Sequence, residues 1–189
     1  MIKTENFQKM EFTSPDALRD WLSQNHSQTA SIWAITYKKH IPYKYVSTTD
    51  ILDALISYGW IDGIRRKVDE DRTMQMISPR STQNWSKSYK DRAEKLEKTG
   101  QMQDAGRQAI AASQASGQWD FFNDVDALIT PADLAEALGP SKVTFEALPD
   151  AYKRNLLRHI KLAKTQATRD KRITQIVTAT KAGERIPQM

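Results

Sequence analysis

The chain has 189 residues, of which 39% are hydrophobic and 27% are charged, and its formal net charge is +5. This length fits one domain, or one domain with a helical extension. Five Trp, five Phe and six Tyr supply large side chains for a core, so the composition favours a folded protein over a disordered one.

The chain has no cysteine, which excludes disulfides, thiolate metal sites and thiol nucleophiles. No apolar run approaches the length of about 20 residues that a membrane helix needs. Residues 1–12 lack the apolar centre of a signal peptide. We therefore expect a cytoplasmic protein without a transmembrane segment.

The first 80 residues predict a small α+β unit. Ser14 followed by Pro15 is typical of a helix start, because serine caps well and proline is tolerated in the first turn. Residues 31–37 are rich in β-branched and aromatic side chains and predict a strand. Ser47 begins a second cap cluster, and the helix that it caps should end near Gly59.

Two antiparallel strands are predicted next, at residues 60–68 and 72–77, joined by a polar turn at residues 69–71. Side chains on a strand point to the same face at every second residue. Asp62 and Arg66 should therefore share one face of the first of these strands.

After Pro79 the pattern becomes helical. Helices are predicted at residues 87–98, 102–116 and 130–138, and two basic amphipathic helices between residues 150 and 181. A glycine inside the second of these helices, Gly106, costs stability unless another backbone approaches closely. We expect it at a close helix crossing.

These elements predict the α+β class. A small antiparallel sheet with helices forms the N-terminal part, and a mostly helical C-terminal part follows. We divide the chain into an α+β region at residues 1–120 and a helical region at residues 121–189. Packing of the second region on the first as one unit stays open.

Residues 59–86 hold the densest set of side chains suited to binding. A guanidinium group can hold a carboxylate or phosphate through two parallel donors, and tryptophan offers a flat stacking surface. A pocket for an anionic or aromatic ligand would use Trp60, Asp62, Arg65, Arg66, Asp69, Arg80, Trp85 and Lys87. In the alternative interpretation the tryptophans belong to the core and the charged groups form a structural ion-pair network.

Catalytic patterns are weak, and we assign no catalytic residue, metal site or cofactor. The three histidines are scattered without a metal-ligand spacing, and no phosphate-binding loop or nucleophile motif occurs. An enzyme acting on a small anionic substrate is the alternative, with Asp62 or Asp69 as the base and Arg80 as the anion clamp.

The C-terminal helices are basic. Residues 151–185 contain ten Lys or Arg and two acidic residues, a charge of about +8. A basic surface would use Lys153, Arg154, Arg158, Lys161, Lys164, Arg169 and Arg172. Nucleic-acid binding of low specificity is an alternative function for this surface. The apolar stripes between the cations are better explained by packing, and no interleaved aromatic side chains support base stacking.

Two stretches of this sequence resemble the YdeI/OmpD-associated, or bacteriocin-protection, family. The first contains Gly59-Trp60-Ile61-Asp62-Gly63, Ser78-Pro79-Arg80 and Trp85-Ser86-Lys87, and Gly100-Gln101-Met102 follows it. The second, Ala163-Lys164 and Thr168-Arg169-Asp170-Lys171-Arg172-Ile173, resembles the basic helical domain named for OmpD association. The chain departs from the family at Ser57, where members often carry cysteine, and at Tyr89, where they often carry asparagine.

The resemblance implies a bacterial protein linked to protection against bacteriocins or antimicrobial peptides, with an outer-membrane porin as an associated partner. Combined with the residue patterns, it predicts a non-enzymatic cytoplasmic stress protein. Such a protein would act by binding another protein or a small molecule.

Overall fold

The computed structural model describes residues 6–186. Residues 1–5 and 187–189 lie outside the described residues. The first five belong to the segment in which the sequence predicts no signal peptide. The chain divides into two compact units between Trp119 and Asp120.

The N-terminal unit contains four strands and four α-helices within its described residues. They are β1 (Lys9–Phe12), α1 (Pro15–Asn25), β2 (Ile32–Tyr37), α2 (Thr48–Ser57), β3 (Trp60–Lys67), β4 (Arg72–Pro79), α3 (Lys87–Lys98) and α4 (Asp104–Ala115), with a 3-10 turn at Pro42–Lys44 before α2. The predicted caps are confirmed. The Ser14 hydroxyl accepts a hydrogen bond from the backbone of Ala17, and Ser47 forms a reciprocal capping box with Asp50.

The strands form one sheet in the order β1-β2-β4-β3. The predicted hairpin of β3 and β4 is present and antiparallel, and β2 pairs antiparallel with β4. Sequence patterns did not predict β1, which pairs parallel with β2. Its four residues are too few to show a strand period, and the strand is defined by its pairing with β2.

One face of this sheet carries the core of the unit. Ile32, Ala34, Trp60 and Ile77 pack with buried residues of α1 and α2, such as Leu18. A second buried cluster joins α2 to α3 and α4, and its members are Ile56, Trp85, Ala93, Leu96 and Met102. This second cluster positions the start of α3 beside the end of the hairpin.

The predicted close crossing at Gly106 is confirmed. A Cβ atom at this position would lie 2.4 Å from the backbone oxygen of Ser57 and 2.7 Å from that of Ile56. Only glycine therefore allows α4 to approach the end of α2 this closely.

The C-terminal unit is helical throughout its described residues. Its elements are α5 (Asn123–Asp126), α6 (Ala132–Leu138), a 3-10 turn (Gly139–Ser141), α7 (Lys142–Glu146), α8 (Asp150–Lys161) and α9 (Gln166–Ala182). Its core contains the predicted stripes of the last two helices, including Leu156, Leu157, Ile160, Ile173 and Ile176. The sequence patterns did not predict the short helix α5.

These units confirm the α+β class, with the sheet in the N-terminal part and a mostly helical C-terminal part. Among residues 6–186, no helix combines the length and the apolar character needed to cross a membrane.

Replacing Gly106 by alanine should destabilise the protein by roughly 1–3 kcal/mol, because the added methyl group forces the backbones of α2 and α4 apart. Urea denaturation followed by circular dichroism measures this loss. Gln108→Ala, at an exposed position of the same helix, is the control and should change stability little. A Gly106→Ala variant as stable as the control would contradict the close crossing.

Candidate functional site

A bulge in β3 decides which polar side chains meet. Asp62 pairs with Ile77, but the register shifts before Arg65, which pairs with Gln75. Because paired residues share a face, Asp62, Arg65 and Gln75 all lie on the core face of the sheet. The prediction that Asp62 and Arg66 share a face is wrong. The extra residue in the bulge moves Arg65 to the face of Asp62 and Arg66 to the opposite one.

Asp62 lies at the centre of a chain of hydrogen bonds. Its Oδ2 accepts from Gln75 Nε2 at 2.9 Å, and its Oδ1 accepts from the hydroxyl of Tyr89 in the first turns of α3. Arg65 Nη2 donates in turn to Gln75 Oε1 at 2.6 Å. The carboxylate thus joins β3, β4 and α3.

Arg80 follows β4 and lies against the aromatic side chains of α3. Its backbone N–H donates to the carbonyl of Gly59 at 2.9 Å, and its Cζ lies 3.9 Å from the ring centroid of Trp85 and 5.3 Å from that of Tyr89. Nη1 donates to the carbonyl of Gln83 at 3.4 Å. Nε and Nη2 are buried and have no hydrogen-bond partner among the described residues.

Burial changes the ionisation of both groups beside Asp62. It lowers the pKa of Arg80 to about 10, although the nearby Tyr89 and Asp62 act in the opposite direction. It also raises the pKa of the Tyr89 hydroxyl well above its usual value, and the hydrogen bond to Asp62 adds to this shift. At neutral pH the cluster therefore holds a cationic guanidinium and a neutral phenol.

We name this set the Arg80 cluster: Asp62, Arg65, Gln75, Arg80, Trp85 and Tyr89. It contains four of the eight predicted ligand-binding residues. The structure places the other four elsewhere, each with its own contacts.

Trp60 is fully buried in the core, and its indole N–H donates to the carbonyl of His26 at 3.1 Å. The guanidinium of Arg66 lies 5.0 Å from the ring centroid of Trp33, on the other face of the sheet. These positions match the alternative interpretation, in which part of the motif is structural.

Asp69 and Lys87 also lie outside the cluster. Asp69 is in the hairpin turn and accepts hydrogen bonds from the side chain and backbone of Arg72. Asp62 lies toward the other end of β3, where it pairs with Ile77, and not beside this turn. Lys87 begins α3 and pairs with Asp91 at 2.8 Å.

Sequence reasoning did not include Gln75 and Tyr89 in the candidate site. Gln75 is buried between Thr73 and Ile77 on the inward side of β4, and an inward polar residue in an alternating strand is a usable signal. Tyr89 follows Trp85 by four residues, but the side of α3 that faces the hairpin is decided by tertiary packing.

The predicted basic surface of the C-terminal unit is largely neutralised. Four of its cations pair with carboxylates of the preceding helices: Lys153 with Glu146 at 3.0 Å, Arg154 with Asp126 at 3.9 Å, Lys161 with Asp124 at 2.7 Å and Arg169 with Asp133 at 2.6 Å. Residues 120–189 contain eleven Lys or Arg and nine Asp or Glu, so the unit is close to neutral.

The remaining three predicted cations do not form a row of exposed charges that could bind successive phosphate groups. Arg158 lies 5.0 Å from the ring centroid of Phe122, and Arg172 donates to the carbonyl of His159 at 2.5 Å. Lys164 is exposed. The surface therefore offers few cations to a polyanion.

Family models match residues in both units of this α+β protein. A family model for a domain of unknown function, DUF8412, matches residues 10–109, more than half of the chain. A second model, described as bacteriocin-protection, YdeI or OmpD-associated, matches residues 127–183. The chain therefore belongs to the DUF8412 family, whose model covers more than half of it, and the match of residues 127–183 supports the resemblance of its C-terminal part to the YdeI/OmpD-associated family. No curated protein and no solved structure matches the chain.

The two stretches of sequence that resemble the YdeI/OmpD-associated family are matched by two different family models. The C-terminal stretch, which includes Ala163 and Lys164, lies in the region matched by the YdeI/OmpD-associated model. The stretch from Gly59 to Lys87, which contains most of the Arg80 cluster, lies in the region matched by DUF8412.

Tyr89→Phe should destabilise the protein by about 1–3 kcal/mol, because it removes a donor from a partly buried carboxylate. Urea denaturation measures the loss, with Tyr43→Phe at an exposed position as the control. An ultraviolet titration of the wild type should also show one tyrosine that ionises above the usual pH range, and this step should be absent in Tyr89→Phe. Equal stability of the two variants would argue against the bond to Asp62.

The ion pair of Asp133 and Arg169 should make the C-terminal unit sensitive to acid. The hydrogen bond from Arg169 lowers the pKa of Asp133 in the folded state. Its stabilising effect is therefore complete above the unfolded pKa of about 3.9 and is lost as the pH falls through the folded pKa.

Asp133→Asn should lower stability at neutral pH, and its difference from the wild type should shrink below about pH 4. Hydrogen exchange of the α6 and α9 amides as a function of pH measures this locally. Glu136→Gln, at an exposed position of α6, is the control. A difference from the wild type that is independent of pH would be inconsistent with this ion pair.

Proposed function

We propose that the N-terminal unit is a ligand-binding module in which Arg80 receives the carboxylate or phosphate group of a small molecule or of a protein partner. The observation that carries this proposal is the buried edge of the guanidinium. Nε and Nη2 point their N–H groups in nearly the same direction, and neither has a partner among the described residues.

In other arginines of this chain, the edge formed by Nε and Nη2 binds a carboxylate. Arg169 donates from Nε and Nη2 to the two carboxylate oxygens of Asp133, at 2.6 and 2.9 Å. Arg72 uses the same two nitrogens on Asp69. In Arg80 the equivalent donors are buried, and no carboxylate oxygen of the described residues lies within 4.0 Å of the guanidinium. A ligand with two acidic oxygens would supply the missing acceptor.

The surroundings of Arg80 favour such a ligand energetically. A buried donor without an acceptor costs about 1–3 kcal/mol, and more when the group is charged. Burial has already removed water from this guanidinium, as the lowered pKa of Arg80 reflects. An anion would therefore compete with little water and would restore the hydrogen bonds.

The stacked aromatic rings hold Arg80 ready for binding. Trp85 is 1% exposed and its ring centroid lies 3.9 Å from Cζ of Arg80, while the Tyr89 hydroxyl is held by its hydrogen bond to Asp62. A preorganised donor pair loses little conformational entropy when it binds. This arrangement supports binding as the role of the cluster.

The position of Asp62 supports binding over catalysis. Each of its oxygens accepts a hydrogen bond from a neutral protein donor, Tyr89 on one side and Gln75 on the other. A general base must place an oxygen within reach of the proton that it removes. Here the carboxylate instead holds the ring beside Arg80, which is the role of a positioning residue.

The family description supplies the setting that we propose for this binding. The YdeI/OmpD-associated model that matches residues 127–183 is described as bacteriocin protection. We place the recognition of an anionic ligand or partner by Arg80 within such a protective role, with no chemical step assigned to the protein.

The test is a thermal-shift panel of benzoate, phenyl phosphate and inorganic phosphate, measured against chloride at equal ionic strength. A ligand at a hundred times its Kd should stabilise the wild type by about 2.7 kcal/mol. Arg80→Lys keeps the charge but loses the two parallel donors, so the stabilisation should largely disappear. Arg72→Lys is the matched control, because the same edge of Arg72 is already paired with Asp69.

A second measurement does not depend on the folding of a variant. In the wild type, the Nε–H resonance of Arg80 should move on addition of the stabilising anion, while that of Arg169 should not. Anion stabilisation retained by Arg80→Lys, or an unmoved Arg80 resonance at saturating anion, would overturn the proposal.

A further inference from the structure

A groove lies between α3 and α4, away from the donors of Arg80. Its volume is about 450 Å³, and its apolar lining includes Ala93, Ile110, Ala111 and Trp119. Pockets of about 300–1,000 Å³ hold small molecules in many proteins. The small side chains at residues 93 and 111 leave this space open between the two helices.

Trp119 forms a rigid aromatic wall of the groove. Its ring centroid lies 4.9 Å from that of Trp85, which is itself buried. The backbone N–H of Trp119 donates to the carbonyl of Ser113 at 3.0 Å, and the N–H of Trp85 donates to the carbonyl of Gln118 at 3.1 Å. These bonds fix the backbone of Trp119, and the contact with Trp85 supports one side of its ring.

The charges on the rim of the groove compensate one another. The carboxylates on the α3 side pair with cations of this chain: Asp91 with Lys87 at 2.8 Å, Glu94 with Lys98 at 2.6 Å and Glu97 with Arg107 at 3.0 Å. Lys90 Nζ lies 5.4 Å from the ring centroid of Trp119. A charged ligand would have to compete with one of the three ion pairs, whereas an uncharged ring would leave all three intact and would meet only Lys90 at the face of Trp119.

We propose that the groove between α3 and α4 binds an uncharged, flat aromatic molecule that lies against Trp119. Burial of the ring removes apolar surface of the walls from water, and ring–ring contact with Trp119 stabilises the complex further. This site is separate from the one proposed at Arg80, because Arg80 does not line the groove.

The test uses the neutral probe N-phenyl-1-naphthylamine, whose fluorescence rises in apolar surroundings. The full-length protein should bind it saturably at one site, and the indole N–H resonance of Trp119 should shift. Ala111→Phe should weaken binding at least tenfold, because the new ring fills the groove from an exposed position of α4. Ala112→Phe, one residue further along the same helix and outside the groove, should leave the affinity unchanged.

Two further measurements test whether the groove prefers an uncharged ring and whether it is independent of Arg80. 2-Naphthoate and a naphthylmethylammonium ion should compete with the probe less well than naphthalene, and salt should have little effect on probe binding. Arg80→Lys should bind the probe as the wild type does, so failure at one site is distinguishable from failure at the other. Unsaturable binding, equal binding by Ala111→Phe, or stronger competition by a charged naphthalene would overturn the proposal.

Discussion

The bulge in β3 is the constraint on which the polar centre of the N-terminal unit depends. One extra residue between Asp62 and Arg65 reverses the alternation of β3 in the middle of the strand. Asp62 and Arg65 can then both reach Gln75 from the core face. An unbroken strand would place Asp62 and Arg65 on opposite faces, and this chain of hydrogen bonds could not form.

The close approach of α2 and α4 extends this arrangement to the helices. Because Gly106 has no side chain, α4 packs against the end of α2, and the second core cluster closes around Trp85. Trp85 then lies between two different neighbours, the guanidinium of Arg80 and the ring of Trp119. One buried tryptophan thus helps to position both the Arg80 cluster and the wall of the groove, and it gives the two proposed sites a common support.

The two units differ in how their arginines are compensated. Most of the arginines and lysines that the sequence offered as a basic surface are paired with acids that precede them in the C-terminal unit, as Arg169 is with Asp133. Arg80 differs from them, because burial and stacking take the place of an acid partner. A count of charges over residues 151–185 overstated the basic character of this surface, because the neutralising carboxylates lie earlier in the chain.

The sequence by itself determined the helix starts at Ser14 and Ser47, the hairpin, the long helices and the glycine crossing, because caps, turns and apolar periods act over a few residues. Of the eight residues that it offered for one binding site, four lie together in the Arg80 cluster, namely Asp62, Arg65, Arg80 and Trp85. Only the tertiary structure decided the rest. The parallel pairing of β1, the bulge in β3 and the meeting of Tyr89 with Asp62 depend on contacts between segments distant in the chain. No local pattern encodes such contacts, since their energy arises when the separate segments pack together.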